Sequence, residues 1–238
     1  GASHVRVRCA AEVAAEFHGL GRKTAEVLTR VATNAGYPRL ILYTSGVWLY
    51  GNTQGVVDEA SPLHPPAMVA PRVMTEEAVL SADQNGVRTI LIRPGCVYGG
   101  RGGLTGAWFQ SAAEDGAARF IGDGSARWTM IHVDDLADLY LRAAESSYGR
   151  VVFNATGPYR HTVQECAEAA SRAAGTGGRT VGVPVDEAAS QMGPVAECLG
   201  MSQHVDSSKA GRLLGWRPRH SSFADAADRY YAAWLAHR

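Results

Sequence analysis

What this chain has little of narrows its chemistry before any motif is considered. Its four cysteines, Cys9, Cys96, Cys166 and Cys198, lie far apart and form neither a C-x-x-C pair nor a Cys/His cluster at metal-ligand spacing. A disulfide frame and a structural metal site are therefore not expected, and reduced thiols in a cytoplasmic setting are. Neither sign of charge predominates, with 23 Lys and Arg against 23 Asp and Glu. That balance argues against nucleic acid and acidic membrane surfaces as partners and favours a small molecule or another protein. No apolar run approaches the length of a membrane span, and "GASHVRVRCAAEV" lacks the pattern of a signal peptide. H-E-x-x-H and the P-loop are both missing, and Ser45 is not set in the G-x-S-x-G elbow of a serine hydrolase.

What is present fits a globular α/β chain. At 238 residues and 46% apolar composition it can build one core, or one core with a smaller lobe. Val5, Val7 and Cys9 alternate with Arg6 and Arg8, as in an edge strand. Apolar positions from Leu20 to Val31 recur at helical spacing, with Gly36 placed to end the helix. "RLILYTS" (39–45) and "RTILIRPG" (88–95) are short apolar runs of the kind buried in parallel sheets. Between them Pro71 suits the first turn of a helix reaching Asp83 and closed by Asn85-Gly86. Strand, helix, strand, helix, strand is the order of a right-handed parallel sheet.

Residues 99–125 are glycine-rich around one amphipathic piece, Trp108 to Glu114. "RWTMIHVDDLADLYLRAAE" (127–145) reads as a strand and a helix, with Asp134 as N-cap and Leu136, Leu139, Tyr140 and Ala143 as the buried stripe. A strand over 151–157, a helix capped by Thr162 and running to Ala174, a strand over 180–186 and a helix from Phe223 to Ala236 complete the pass. The division expected is an incomplete core over 1–150 and lobe elements with C-terminal helices over 151–238.

Four segments in order, "LILYTSGVWLYGNT", "TILIRPGCVYGG", "IGDGSARWTMIHVDDLADLY" and "VDSSKAGRLLGWRP", resemble the extended short-chain dehydrogenase/reductase family of the NAD-dependent epimerase/dehydratase type. They resemble in particular a branch with Thr-Ser-Gly at this strand end. The resemblance implies a Rossmann-like parallel sheet covered by helices with a small α/β C-terminal substrate lobe. It also implies NAD or NADP as cofactor, a small carbonyl or sugar-like substrate, and a possible homodimer. Ala10, Thr44, Pro94, Gly95 and Val97 fall where the family meets its cofactor.

The sequence departs from the family in two places. The glycine-rich turn that seats a dinucleotide pyrophosphate is not matched, since "GLGRK" (19–23) lacks the third glycine. The first βαβαβ half is therefore expected to be absent. The family's Tyr and Lys, four residues apart on the helix after the Thr-Ser strand end, are replaced by "PPAMVAPRVMTEEAVL". Anchored on Glu76, the pair's positions hold Met68 and Arg72; anchored on Glu77, they hold Val69 and Val73. In the first register Arg72 keeps the positive charge, but it exchanges no proton near neutral pH. Gly46 stands where the family commonly has its catalytic Ser or Thr, with Ser45 one place earlier.

The catalytic candidates are Ser45, as donor to a substrate carbonyl, Arg72 and His132. For Ser45 the alternative is a turn hydroxyl bonded to local backbone; for His132 it is a hydrogen-bonded structural imidazole. Gly46, Trp48, Tyr50, Tyr98, Arg101, Arg127 and Trp128 are the substrate-binding candidates. The aromatics would form a flat wall for a ring-bearing or hydrophobic ligand, and the two arginines would hold an anionic or carbonyl group. Core packing and solvated charge are the respective alternatives. Asp58-Glu59 reads as a surface turn. With the usual redox residues missing, a redox-neutral cyclase or isomerase and a non-catalytic binding relative stand beside the oxidoreductase.

Overall fold

The computed structural model describes residues 23, 25–34, 39–83, 86–100 and 103–237. The expected edge strand at Val5 to Cys9, the helix start at Leu20, Gly36, Asn85, Ala10 and Arg101 lie outside the described residues. Residues 25–33 are helical (α1), matching the periodicity that remains in view.

The central sheet has three strands, β1 (Arg39–Thr44), β2 (Val87–Pro94) and β6 (Val151–Ala155), in the order β1-β2-β6 and all parallel. Ile90, Leu91 and Ile92 are fully buried, as a strand covered on both faces requires. The odd face, with Leu91, Ile41, Tyr43 and Val152, packs on Ala25 of α1 and on Val79 of α2 (Pro71–Ser81). The even face, with Ile90, Ile92 and Phe153, packs on Leu139 and Ala143 of α4 (Val133–Glu145) and on Ala210 of α8 (Ser208–Leu214). Pro71 opens α2 as expected, where its missing N–H costs nothing.

A second layer of structure follows β2. The short strand β3 (Cys96–Tyr98) pairs in parallel with β5 (Met130–His132), so the strand expected near 127–132 does not join the main sheet. A further parallel pair joins β4 (Ala118–Ile121) to β7 (Thr180–Val183). The helices α3 (Gly106–Asp115), α5 (Val163–Ala173) and α9 (Ala227–Leu235) surround an aromatic core built on Trp108, Phe109, Phe120, Phe223 and Tyr230. The helices α6 (Val185–Met192) and α7 (Val195–Gly200) lie beyond β7. Thr162 caps α5 in a reciprocal box with Glu165. The C-terminal helix is shorter than its composition promised, because Phe223 is drawn into the core and Ser222 turns the chain through Asp225.

Inside the odd face lies a buried polar network. Glu76 of α2 (3% exposed) receives Nε and Nη2 of Arg93 (5% exposed) on its two carboxylate oxygens. Arg93 Nη1 donates to Tyr50 Oη at 2.8 Å, and Tyr50 donates to Asn154 Oδ1 at 2.9 Å. Asn154 sits opposite Arg93 in the β2–β6 register. Its own N–H, on the open edge of β6, donates to Glu59 Oε1 at 2.8 Å. Glu59 is thus anchored on the sheet edge, while Asp58 forms the expected turn with Ser61.

Glu76→Gln should leave the Arg93 guanidinium buried without its counter-charge and cost about 3–5 kcal/mol. A Glu76→Leu/Arg93→Met double variant should recover most of that loss. Urea unfolding midpoints measure both, and an unchanged midpoint for Glu76→Gln would contradict the role assigned to the pair.

Candidate active site

The carboxyl ends of β1 and β2 bring together Ser45, Gly46, Arg72 and Pro94. Ser45 N–H donates to Ile92 O at 2.8 Å, which carries the chain one step past the ladder. Its hydroxyl is buried, at 5% exposure, and has no partner among the described residues. A buried hydroxyl left unpaired costs free energy, so it marks a place where a ligand atom is wanted. Gly46 is extended and begins a short 3-10 turn, Val47–Tyr50. A Cβ placed on it would meet Arg72 Nη1 at 3.6 Å and Pro94 O at 3.9 Å, so the half-buried guanidinium lies just over this glycine. Arg72 also faces Tyr43, whose phenol burial pushes up and the guanidinium partly restrains.

The remaining expectations divide. Thr44 stands at the strand end with its hydroxyl against Tyr140 Oη. Trp48 is half-buried on the 3-10 turn. Tyr50, expected to touch substrate, is buried and spends its hydroxyl on Arg93 and Asn154. Gly95 is required by packing. Its N–H donates to Ala155 O, and a Cβ there would lie 2.3 Å from Thr129 O. Val97 packs into the even-face core.

His132 does not join Ser45 and Arg72. It is the N-cap of α4, its Nδ1 accepting Asp134 N–H at 3.2 Å, so the cap assigned to Asp134 belongs to the residue two places earlier. Its ring stacks on His220 at 3.9 Å and meets Tyr98 and Tyr230. Burial, then the neighbouring His220, holds its pKa below the usual 6.5, against the pull of Asp134 and Asp135. Donor atoms of His132, Asp134 and His220 lie within 4.8 Å of one another. The two rings are nearly parallel, at 11°, so their in-plane lone pairs do not converge on one point.

Tyr98 is likewise core, with its hydroxyl on Ser221 O and its ring among Phe223, Tyr230 and His132. Arg127 reaches Arg160 O, which orders the loop after β6. Trp128 stacks on Trp108, donates to Leu199 O and lines an apolar cavity of about 260 Å³ with Phe120, Ile121 and Met192. This cavity lies within the second layer and not at the Ser45 strand end. Burial pushes the thiols of Cys96 and Cys166 up to about 12 and that of Cys198 up to about 11, so the described cysteines are poor nucleophiles.

Two residues that tie distant segments together carry no motif of their own. Gln203 Nε2 donates to Val47 O and Gly51 O, both at 2.8 Å, and so holds the turn that carries Gly46 and Trp48. Nothing in its sequence setting signals this. Asp135 accepts the N–H groups of Arg219 and His220, and His220 Nδ1 lies 2.9 Å from it. Burial alone raises its pKa, but these hydrogen bonds and the His220 charge outweigh that and hold it below the carboxylate norm. A signal did exist here: Asp135, Leu139 and Ala143 are spaced by four and form the buried face of α4.

The model of the "NAD dependent epimerase/dehydratase family" matches residues 9–156. The chain belongs to this family. Its relatives include protein C2A9.02 of Schizosaccharomyces pombe, 26% identical over 205 residues (82% of this chain, 66% of that one). Protein y4nG of Sinorhizobium fredii is 26% identical over 200 residues (76% and 50%). The chain therefore spans between half and just under two thirds of these relatives' length. Solved structures with the same fold include the dTDP-glucose 4,6-dehydratase DesIV of Streptomyces venezuelae with NAD and TYD. It is 20% identical at a TM-score of 0.80, covering 100% of this chain and 72% of that one. The human epimerase family protein SDR39U1 with NADPH gives 23% and 0.79, covering 93% and 75%. As an epimerase/dehydratase-family fold the chain is α/β, with every strand pair parallel among the described residues. No described helix is long and apolar enough to cross a membrane.

The His132 imidazole binds its proton less readily in the fold than in the unfolded chain. Its contribution to stability is therefore full above about pH 6.5 and is lost as pH falls through the lower folded value. His132→Asn, which keeps a capping acceptor, should flatten the fall of melting temperature between pH 7 and 5. Parallel wild-type and variant curves across that window would remove His132 from the account.

Proposed function

We propose that this chain acts at the carbonyl carbon of a small substrate together with NAD or NADP, as an oxidoreductase of the epimerase/dehydratase type. The observation that carries the reading is the Ser45 hydroxyl, buried and unpaired at the strand end beside Gly46 and Arg72. Open parallel sheets place their ligands at the carboxyl ends of strands. The family fold, with solved neighbours containing NAD or NADPH, supports the choice of cofactor.

The described residues fit the reacting end of such a cofactor. Gly46 keeps a side chain off the strand end, where a Cβ would already touch Arg72 Nη1 at 3.6 Å and Pro94 O at 3.9 Å. Bound there, the nicotinamide ring supplies hydride transfer. Ser45 Oγ donates a hydrogen bond to the substrate carbonyl oxygen, and Arg72 stabilises the negative charge that grows on it. Neither group is a proton reservoir near neutral pH. With no tyrosine or lysine on α2, the proton that completes the alcohol comes from water.

Calorimetry with NADH and NADPH should give a Kd of about 1–100 μM for one of them. Turnover of small aldehydes, ketones and nucleotide sugars is then followed by nicotinamide absorbance. Ser45→Ala should lower kcat about a hundredfold while leaving cofactor affinity unchanged. A wild-type chain that binds neither nucleotide, or a Ser45→Ala variant with full turnover, would refute the reading.

A further inference from the structure

A second cleft stands apart from Ser45, between the loop that follows β6 and the segments that flank α8. Its volume is about 540 Å³, within the range of small-molecule sites. Arg160, His204, Arg212 and Arg217 line it, and Asp206 is the sole carboxylate among the described lining residues. That carboxylate is already engaged, since Asp206 Oδ2 receives the hydroxyl and the N–H of Ser208. Arg212 is also partly used, donating Nη1 to Ser208 Oγ at 2.6 Å. Arg160 and Arg217 have no ion-pair partner among the described residues. Arg160 lies close enough to His204 that its charge, after burial, helps hold that imidazole below its usual pKa.

The cleft is built rather than incidental. One wall is pinned where Gly157 N–H donates to Met130 O at 2.7 Å and Arg127 grips Arg160 O. The opposite wall is pinned by Trp216 Nε1 to Asp135 O at 2.8 Å and by Arg219 N–H to Asp135 Oδ1 at 3.0 Å. Pro158 and Pro218 stiffen the two arginine-bearing segments further. On the floor, the hydroxyls of Thr129, Thr156 and Ser207 are spent on backbone carbonyls. Few neutral donors remain, so recognition there falls to charge. Guanidinium forks match phosphate oxygens in planar geometry. The cleft is far larger than a bare phosphate, and the partly exposed Tyr159 ring offers a flat face to whatever the phosphate is attached to.

We propose that this cleft binds a phosphorylated small molecule, its phosphate held by Arg160, Arg212 and Arg217 and its organic part lying against Tyr159. The site is independent of the reading given to Ser45. Glucose 6-phosphate, glucose and inorganic phosphate serve as probes in calorimetry at low ionic strength, where charge recognition is least screened. Glucose 6-phosphate should bind more tightly than either of the other two. An Arg160→Gln/Arg217→Gln double variant, both positions being exposed, should weaken it at least about tenfold. NADH and NADPH affinity should not change in that variant, which separates this site from the Ser45 strand end. No detectable binding of glucose 6-phosphate, equal binding of glucose, or full affinity in the double variant would overturn the proposal. Equal affinity for inorganic phosphate would overturn the role given to Tyr159.

Discussion

The Arg93–Glu76 ion pair is the constraint on which the site's geometry depends. It joins α2 to β2 inside the sheet's odd face, where a guanidinium without its carboxylate would be strongly unfavourable. Through Tyr50 and Asn154 the same network reaches the 3-10 turn after β1 and the outer strand β6. Each connected element carries part of the strand-end floor: α2 brings Arg72, the turn brings Gly46, and β2 brings Pro94. Because a buried pair of this kind tolerates little displacement, the relative positions of those three are set before any ligand arrives. The pair adds little net stability of its own kind, but it penalises every arrangement in which α2 slides along the sheet.

A second anchor works on the opposite face of the central sheet. Asp135, at the start of α4, collects the backbone donors of Arg219 and His220 and presents its own carbonyl to Trp216. This fixes the segment after α8 against the helix that covers the even face. The arginine-bearing wall of the second cleft therefore inherits its position from the main core. His132, one helical turn earlier in the same unit, caps α4 and stacks beneath His220. Its contacts are those of a capping, stacked imidazole, and burial lowers its pKa.

The family match spans the strand end, the helix that follows and the Arg-Pro-Gly turn. The hydroxyl there belongs to Ser45, one residue before the position the resemblance gives it, and the glycine that follows lies in contact distance of the Arg72 guanidinium. That is a donor and a fixed charge without a proton shuttle, a set suited to polarising a carbonyl. The aromatic residues that looked like a pocket wall prove to be of two kinds. Tyr50 and Tyr98 are consumed by the core, whereas Trp128 does line a cavity.

The strands at 39–44 and 87–94, the proline start of α2 and the Thr162 box were legible in the sequence because each rests on neighbouring residues: apolar runs, a fixed φ, a side chain reaching three positions along. Family membership was legible for a related reason, since motif order survives along the chain. Whether His132 or Asp134 caps α4, that Glu76 meets Arg93, that Gly95 is held to glycine by Thr129, and that Ser45 is left unpaired were decided only by the tertiary structure. Those outcomes depend on contacts between segments distant in sequence, where burial and the need to pair every polar atom select among local options that the sequence leaves equal.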